Sequence, residues 1–242
     1  SALSTNRSVK VNGVWSHAHL GTSLLASAHM QLSAFPRKSD AGRTLEAHAL
    51  GVLAIRAALA QCEWTSAASW LALATALDAV QADIATLEEI VGARTELVDK
   101  REDTMAAVRK EMGRGASVHR AGSAGWDHAG MSTTALDAAI DECAAFPRCT
   151  AESSKLIDGA KVISKLRTAL SGAEVGESSS WRAVTTFLGG HADHDDLAEL
   201  KEAWQELREA RDHAESLVIA ALKTGCSRSA GGRATHPSPP RF

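Results

Sequence analysis

The chain has 242 residues, a formal net charge of −3 and a sequence pI near 6.4, so it lacks the basic footprint of a nucleic-acid-binding domain. Hydrophobic residues make up 45% but aromatics only 4%, with no Tyr, so the apolar mass is Ala, Leu, Val and Ile. That composition suits closely packed helices, and no stretch approaches the eighteen consecutive apolar residues that a membrane span needs.

The first residues, Ser1 to Arg7, hold no apolar targeting core and read as the edge of a piece cut from a longer chain. A first helix is predicted from about Ala18 to Ser33, behind Trp15-Ser16-His17-Ala18. It stops at Phe35-Pro36, because proline disfavours helical geometry in the residue before it and donates no hydrogen bond. A second helix runs from about Ala41 to Gln61. Its Leu45, Ala49, Val52, Ile55 and Leu59 recur at spacings of three and four and form one apolar stripe. A third begins at the Ser-rich turn before Trp70 and ends near Val80. A fourth, long and highly charged, follows, and acidic pairs such as Glu88-Glu89 are expected on its solvated face.

Beyond a glycine-rich stretch from Gly113 to Gly130, the order repeats. Ala34-Phe35-Pro36-Arg37 returns as Ala145-Phe146-Pro147-Arg148, a shift of about 111 residues. At that shift Trp15 meets Trp126, His17 meets His128 and Ser69-Trp70 meets Ser180-Trp181. About 21 of the 63 positions from Trp15 to Leu77 are identical to their partners. The stripe also returns, as Leu156, Ala160, Ile163, Leu166 and Leu170. Along the fourth helix the match is Asp83-Ile84-Ala85 with Asp196-Leu197-Ala198, and Leu197, Leu200, Trp204, Leu207, Leu217 and Ala221 extend its apolar face.

The expected fold is therefore all-α, with two tandem copies of a unit of about 111 residues, each a bundle of about four helices. The expected domains are residues 1–114, a glycine-rich linker at 115–130, a second unit at 131–225 and a disordered tail at 226–242.

Few residues carry candidate chemistry. Trp15, His17, Trp126 and His128 form a duplicated Trp-x-His-Ala motif that could line a cofactor pocket, although a His near a helix start more often makes a local hydrogen bond. His191, Asp193 and His194 have metal-ligand chemistry, but the first copy has no equivalent, and aspartates ahead of a helix also favour its positive dipole end. Phe35, Pro36, Trp70, Phe146, Pro147 and Trp181 are repeat-equivalent structural positions, with the tryptophans expected in the core. Cys143 and Cys149 flank a turn, and whether they are bonded stays open. No G-x-S-x-G, P-loop, dinucleotide, H-E-x-x-H or paired C-x-x-C signature occurs.

These features favour a non-enzymatic structural or scaffold protein with a protein partner. No nucleic acid, transmembrane segment, cofactor or resident metal is expected, and cytoplasmic placement is favoured. The alternatives are a ligand- or cofactor-binding helical bundle with duplicated Trp/His pockets, and an extracellular helical surface protein.

Overall fold

The computed structural model describes residues 9–11, 14–17, 20–115, 133–174, 177–191 and 197–229. It divides into two compact units, one of residues 1–112 with 134–161 and one of residues 113–133 with 162–242. The first holds strands β1 (Val9–Val11) and β2 (Val14–Ser16), helices α1 (Ser23–Ser33) and α2 (Asp40–Leu59), a 3-10 turn at Ala67–Trp70, then α3 (Leu71–Asp78), α4 (Glu88–Gly115) and α5 (Thr134–Ala145). Helix α6 (Ala151–Ser171) crosses the division, and α7 (Arg182–Gly189) and α8 (Ala198–Ser229) complete the second unit.

The architecture is all-helical apart from the short antiparallel ladder, which pairs Val9 with Ser16, Lys10 with Trp15 and Val11 with Val14. Its signal was present in the sequence: Val-Lys-Val and Val-Trp-Ser flank Asn12-Gly13, the commonest dipeptide of a two-residue hairpin turn. Helix α1 consequently starts at Ser23, later than the predicted Ala18.

Helix starts and stops follow local chemistry. Ser39 caps α2 by accepting from the Gly42 amide at 3.1 Å. Thr150 and Ser153 cap α6 reciprocally, each hydroxyl accepting from the other's amide, at 3.1 and 2.7 Å. Helix α5 ends at Phe146-Pro147, after which Arg148 adopts φ 63, the left-handed region that non-glycine residues seldom enter.

Packing follows a different line from the expected boundary at residues 115–130. Gly115 is the last residue of α4, and residues 116–130 lie outside the described residues. Helix α5 joins the first unit, with Leu136, Ile140, Cys143 and Phe146 all buried and Phe146 in one cluster with Trp70, Leu73 and Ile90. The second unit has its own cluster, in which Leu166, Leu170, Trp181, Val184, Leu188 and Leu200 meet. Helix α8 also runs past the expected end at residue 225, and residues 230–242 lie outside the description.

The two tryptophan turns close in the same way. The Trp70 indole N–H donates to the Glu63 carbonyl at 3.0 Å, and that of Trp181 to the Glu174 carbonyl at 2.9 Å. The Ser69 hydroxyl accepts from the Glu63 amide and donates to the Ser66 carbonyl, at 2.8 and 2.7 Å. Ser180 does the same with Glu174 and Glu177 at 2.8 and 2.7 Å. Each turn thereby satisfies the indole donor that burying a Trp would otherwise orphan.

Two arginine–glutamate pairs fix the long helices. Arg56 holds both oxygens of Glu89, at 2.6 and 2.9 Å, and this partner keeps its guanidinium pKa raised. Arg167 holds both oxygens of Glu199, at 3.0 and 2.5 Å. Glu89 and Glu199 are each the second residue of their helix. Counted from them, buried Ile90, Ala93 and Glu96 fall at the same steps as buried Leu200, Ala203 and Glu206. Asp196, matched with Asp83 in the sequence, lies outside the described residues. Glu89 also leaves the solvated face where the charge pattern placed it.

Candidate functional site

The sequence candidates fall in two places. Trp15 sits on β2 and its indole N–H donates to the Asp99 carboxylate on α4 at 3.3 Å. His17 Nε2 lies 2.7 Å from Glu96 Oε2, one turn earlier on α4. The Glu96 side chain is fully buried, and its Oε1 has no hydrogen-bond partner among the described residues. Trp126 and His128 lie outside the described residues. The hairpin thus brings the Trp-x-His motif onto a buried carboxylate that sequence reasoning missed. Its signal was a glutamate at an apolar position of the helix stripe, between Ala93 and Leu97.

A thiol completes this neighbourhood. Cys62 donates to the Ala58 carbonyl at 3.4 Å, and its pKa is pushed up to about 12 by burial and by the nearby negative Glu96. A thiol held protonated is a poor nucleophile, so Cys62, His17 and Glu96 do not form an activated thiolate site. Among the described residues Cys62, Cys143 and Cys149 are all free, which answers the open question about Cys143 and Cys149. Cys143 is buried in α5, while exposed Cys149 turns its sulfur toward the Phe146 carbonyl at 3.7 Å.

His191 closes the end of α7. Its ring stacks on Phe187 with centroids 4.1 Å apart, and Nδ1 lies 2.9 Å from the Phe187 carbonyl oxygen. Asp193 and His194 lie outside the described residues. Among the described residues no three His, Cys, Asp or Glu side chains come together in a group that could hold a metal ion.

Of the structural positions, Trp70 is fully buried, edge-on to Trp64 at 5.5 Å and tilted against Phe146 at 6.4 Å. Trp181 is buried too. Phe146 and Pro147 are buried, whereas Phe35 and Pro36 are exposed.

A recess lies in the second unit. It measures about 560 Å³ and runs between α7 and α8, lined by Trp181, Trp204, Leu207, Ala214 and Leu217, with Arg208 and Arg211 among its walls. Trp204 and Leu217 are exposed, although their spacing placed them on an apolar stripe. Spacing reveals a face that needs cover; it does not reveal whether cover exists.

In the first unit the face around Trp70 is covered. There α5 lies along the 3-10 turn and α4. The Ala67 amide donates to Glu142 at 2.6 Å, and Lys100 lies 3.5 Å from the same carboxylate. Phe146 packs on Trp70. Arg148 donates to the Ala74 carbonyl at 3.0 Å and to Asp78 at the end of α3, where the helix dipole is negative.

No family model matches the chain, no curated protein matches it, and no solved structure matches it.

Proposed function

We propose that the chain is a non-enzymatic scaffold built of two tandem copies of a helical unit of about 111 residues, and that it mediates protein–protein interaction. The observation that carries this reading is the exposed apolar recess on α7 and α8, matched by a face of the first unit that already holds a docked helix. Repeat proteins stack units that cannot bury one face alone, and such faces serve as binding surfaces. The equal hydrogen bonding at the Trp70 and Trp181 turns supports the duplication. The absence of catalytic motifs from the sequence, and the placing of buried Arg56 and Arg167 in pairs with glutamates, support a structural role.

One observation favours the alternative. The recess has the volume of a small-molecule site and holds two indoles beside two guanidinium groups. Native mass spectrometry and an absorption spectrum of the purified chain separate the two readings. The scaffold reading expects masses that are whole multiples of the polypeptide and no absorbance at visible wavelengths. A stoichiometric mass increment or a visible band assigns the recess to a ligand.

A further inference from the structure

We infer that the outer face of α1 is a self-association surface, on which α1 of a second copy of this chain lies antiparallel across a two-fold axis. The contact goes beyond the scaffold reading and uses no residue of the recess.

The inner side of α1 is already engaged with α2. The Ser33 hydroxyl donates to Glu46 at 2.7 Å, His29 Nε2 lies 4.0 Å from the same carboxylate, and the Leu32 side chain lies against Gly42. Leu25, Ala26, His29 and Leu32 are accordingly half-buried. Leu24, Ala28, Gln31 and Phe35 recur at spacings of four, three and four on a face turned away from those residues, and all four are exposed. The helical path carries on to Phe35, because the Ala34 amide donates to the Met30 carbonyl and the Phe35 amide to the Leu32 carbonyl, at 3.1 and 3.3 Å. Leu24 is 81% exposed, Met30 65% and Phe35 63%.

Charge points to what covers this face. Between Lys10 and Arg37 the sequence has no Asp, Glu, Lys or Arg, although 23% of the chain is charged. Exposed apolar residues elsewhere stand among ions: Leu87, Val91 and Val98 neighbour Glu88, Arg94 and Glu102 in the sequence. Among the described α-helices only α1 lacks Asp, Glu, Lys and Arg altogether. The cores of protein interfaces are depleted in charge and enriched in aromatic residues and Met, and this face has that composition. A partner with a charged surface would strand its own ions against Leu24 and Phe35. A chain of net charge −3 repels its own copy on most approaches, and an ion-free face lets two copies meet without opposing like charges.

The face is also complementary to itself. Its large residues, Leu24 and Phe35, stand at its two ends, about 16 Å apart along the helix axis. Small Ser27 and Ala28 lie between them. Antiparallel packing seats Leu24 against the partner's Phe35 at both ends, and the small centre lets the axes approach to about 8 Å. In that register Gln31 lies opposite the partner's Ala28, and its amide can donate to the hydroxyl of the partner's Ser27. The opposed helix dipoles favour this direction over the parallel one. The contact is isologous, so it makes a dimer and stops. One face of a short helix buries less than the roughly 800 Å² per partner of a standard interface, so the dimer is weak and reversible.

Sedimentation velocity of the purified full chain from micromolar to millimolar concentration tests this. The wild type is expected to pass from monomer to dimer and no further. Ala28→Glu and Gln31→Lys place good helix formers at exposed positions, so both should keep the wild-type circular dichroism and melting temperature at low concentration. In each variant's homodimer the new like charges face each other across the axis, and association should weaken about 30-fold or more. In an equal mixture the carboxylate of one variant lies opposite the ammonium of the other, and mixed dimers should return. A wild type that stays monomeric, single variants that associate like the wild type, or a mixture no more associated than its components would each overturn the proposal. A monomeric wild type that floats with neutral phosphatidylcholine vesicles assigns the face to a lipid surface instead. None of these outcomes touches the scaffold reading, which stands or falls on the mass and spectrum of the purified chain.

Discussion

Phe35 and Phe146 stand in the same four-residue run, Ala-Phe-Pro-Arg, behind helices of similar length, and their environments are opposite. Phe146 is in the core of the first unit against Trp70, and Phe35 faces solvent. The run therefore carries its shape, a helix stopped by proline, but not its burial. Burial depends on whether a host face is in reach. For α5 it is the 3-10 turn, α3 and α4, whose polar groups reach out to Glu142 and Arg148. The same distinction separates Trp70, enclosed by Trp64 and Phe146, from Trp181, which is buried on one side and lines a recess on the other.

The sharpest challenge to this contrast is to truncate both phenylalanines. Phe146→Ala should cost about 3–5 kcal/mol of stability, the range for deleting a large core side chain. Phe35→Ala should stay within about 0.5 kcal/mol, as for surface changes away from special features. Urea denaturation at a protein concentration low enough to exclude association measures both. Equal losses would show that the two runs are buried alike in solution, and the contrast would fail.

A second challenge compares the ion pairs that fix α4 and α8. Arg167 and Glu199 are 3% and 7% exposed at their side chains, and Arg56 and Glu89 are 8% and 18% exposed. Removing one member of a buried pair strands a charge and typically costs about 3–5 kcal/mol. Glu199→Ala should fall in that range. Glu89→Ala should cost less, about 1–3 kcal/mol, because Arg56 keeps its bond to the Gly21 carbonyl at 2.5 Å and is nearer water. The reverse order, read from denaturation midpoints, would mean that the second unit relaxes around its stranded arginine.

Helix order, the Phe-Pro stops and the burial of Trp70 and Trp181 were all legible in the sequence, because each follows from local chemistry or from a stripe of period 3.6. What covers each stripe was not legible. Leu45 and Leu156 hold the same stripe position, yet Leu45 is exposed and Leu156 half-buried. Periodicity reports the side of a helix that repels water, whereas the covering partner depends on contacts distant in sequence. The assignment of α5 to the first unit is of that kind. The buried carboxylates were missed for a related reason. Glu89 was read as a member of a solvated charged face, and only the fold brings Arg56, His17 and Arg167 to Glu89, Glu96 and Glu199. Of the candidate site, Trp15 and His17 were found from the motif alone, while the recess on α8 was hidden because Trp204 and Leu217 look like ordinary core positions.

The smallest expected effect concerns the Cys62 thiol beside Glu96. In the unfolded chain this thiol ionises near its ordinary value of 9.0, and in the fold burial and then Glu96 push it up to about 12. As pH rises past 9.0 the unfolded chain therefore releases its proton first, while the folded chain must keep it. The stability in question is complete below pH 9.0 and is lost progressively toward pH 12. Lysines titrate over the same window in any variant, so the measurement is a difference: from pH 9.0 upward the wild type should lose stability more steeply than Cys62→Ala. The same shift makes Cys62 slow to alkylate at pH 8, where exposed Cys149 should label first by peptide mass mapping. Parallel pH profiles for wild type and Cys62→Ala, together with equal labelling of the two thiols, would place Cys62 in water and dissolve its link to Glu96.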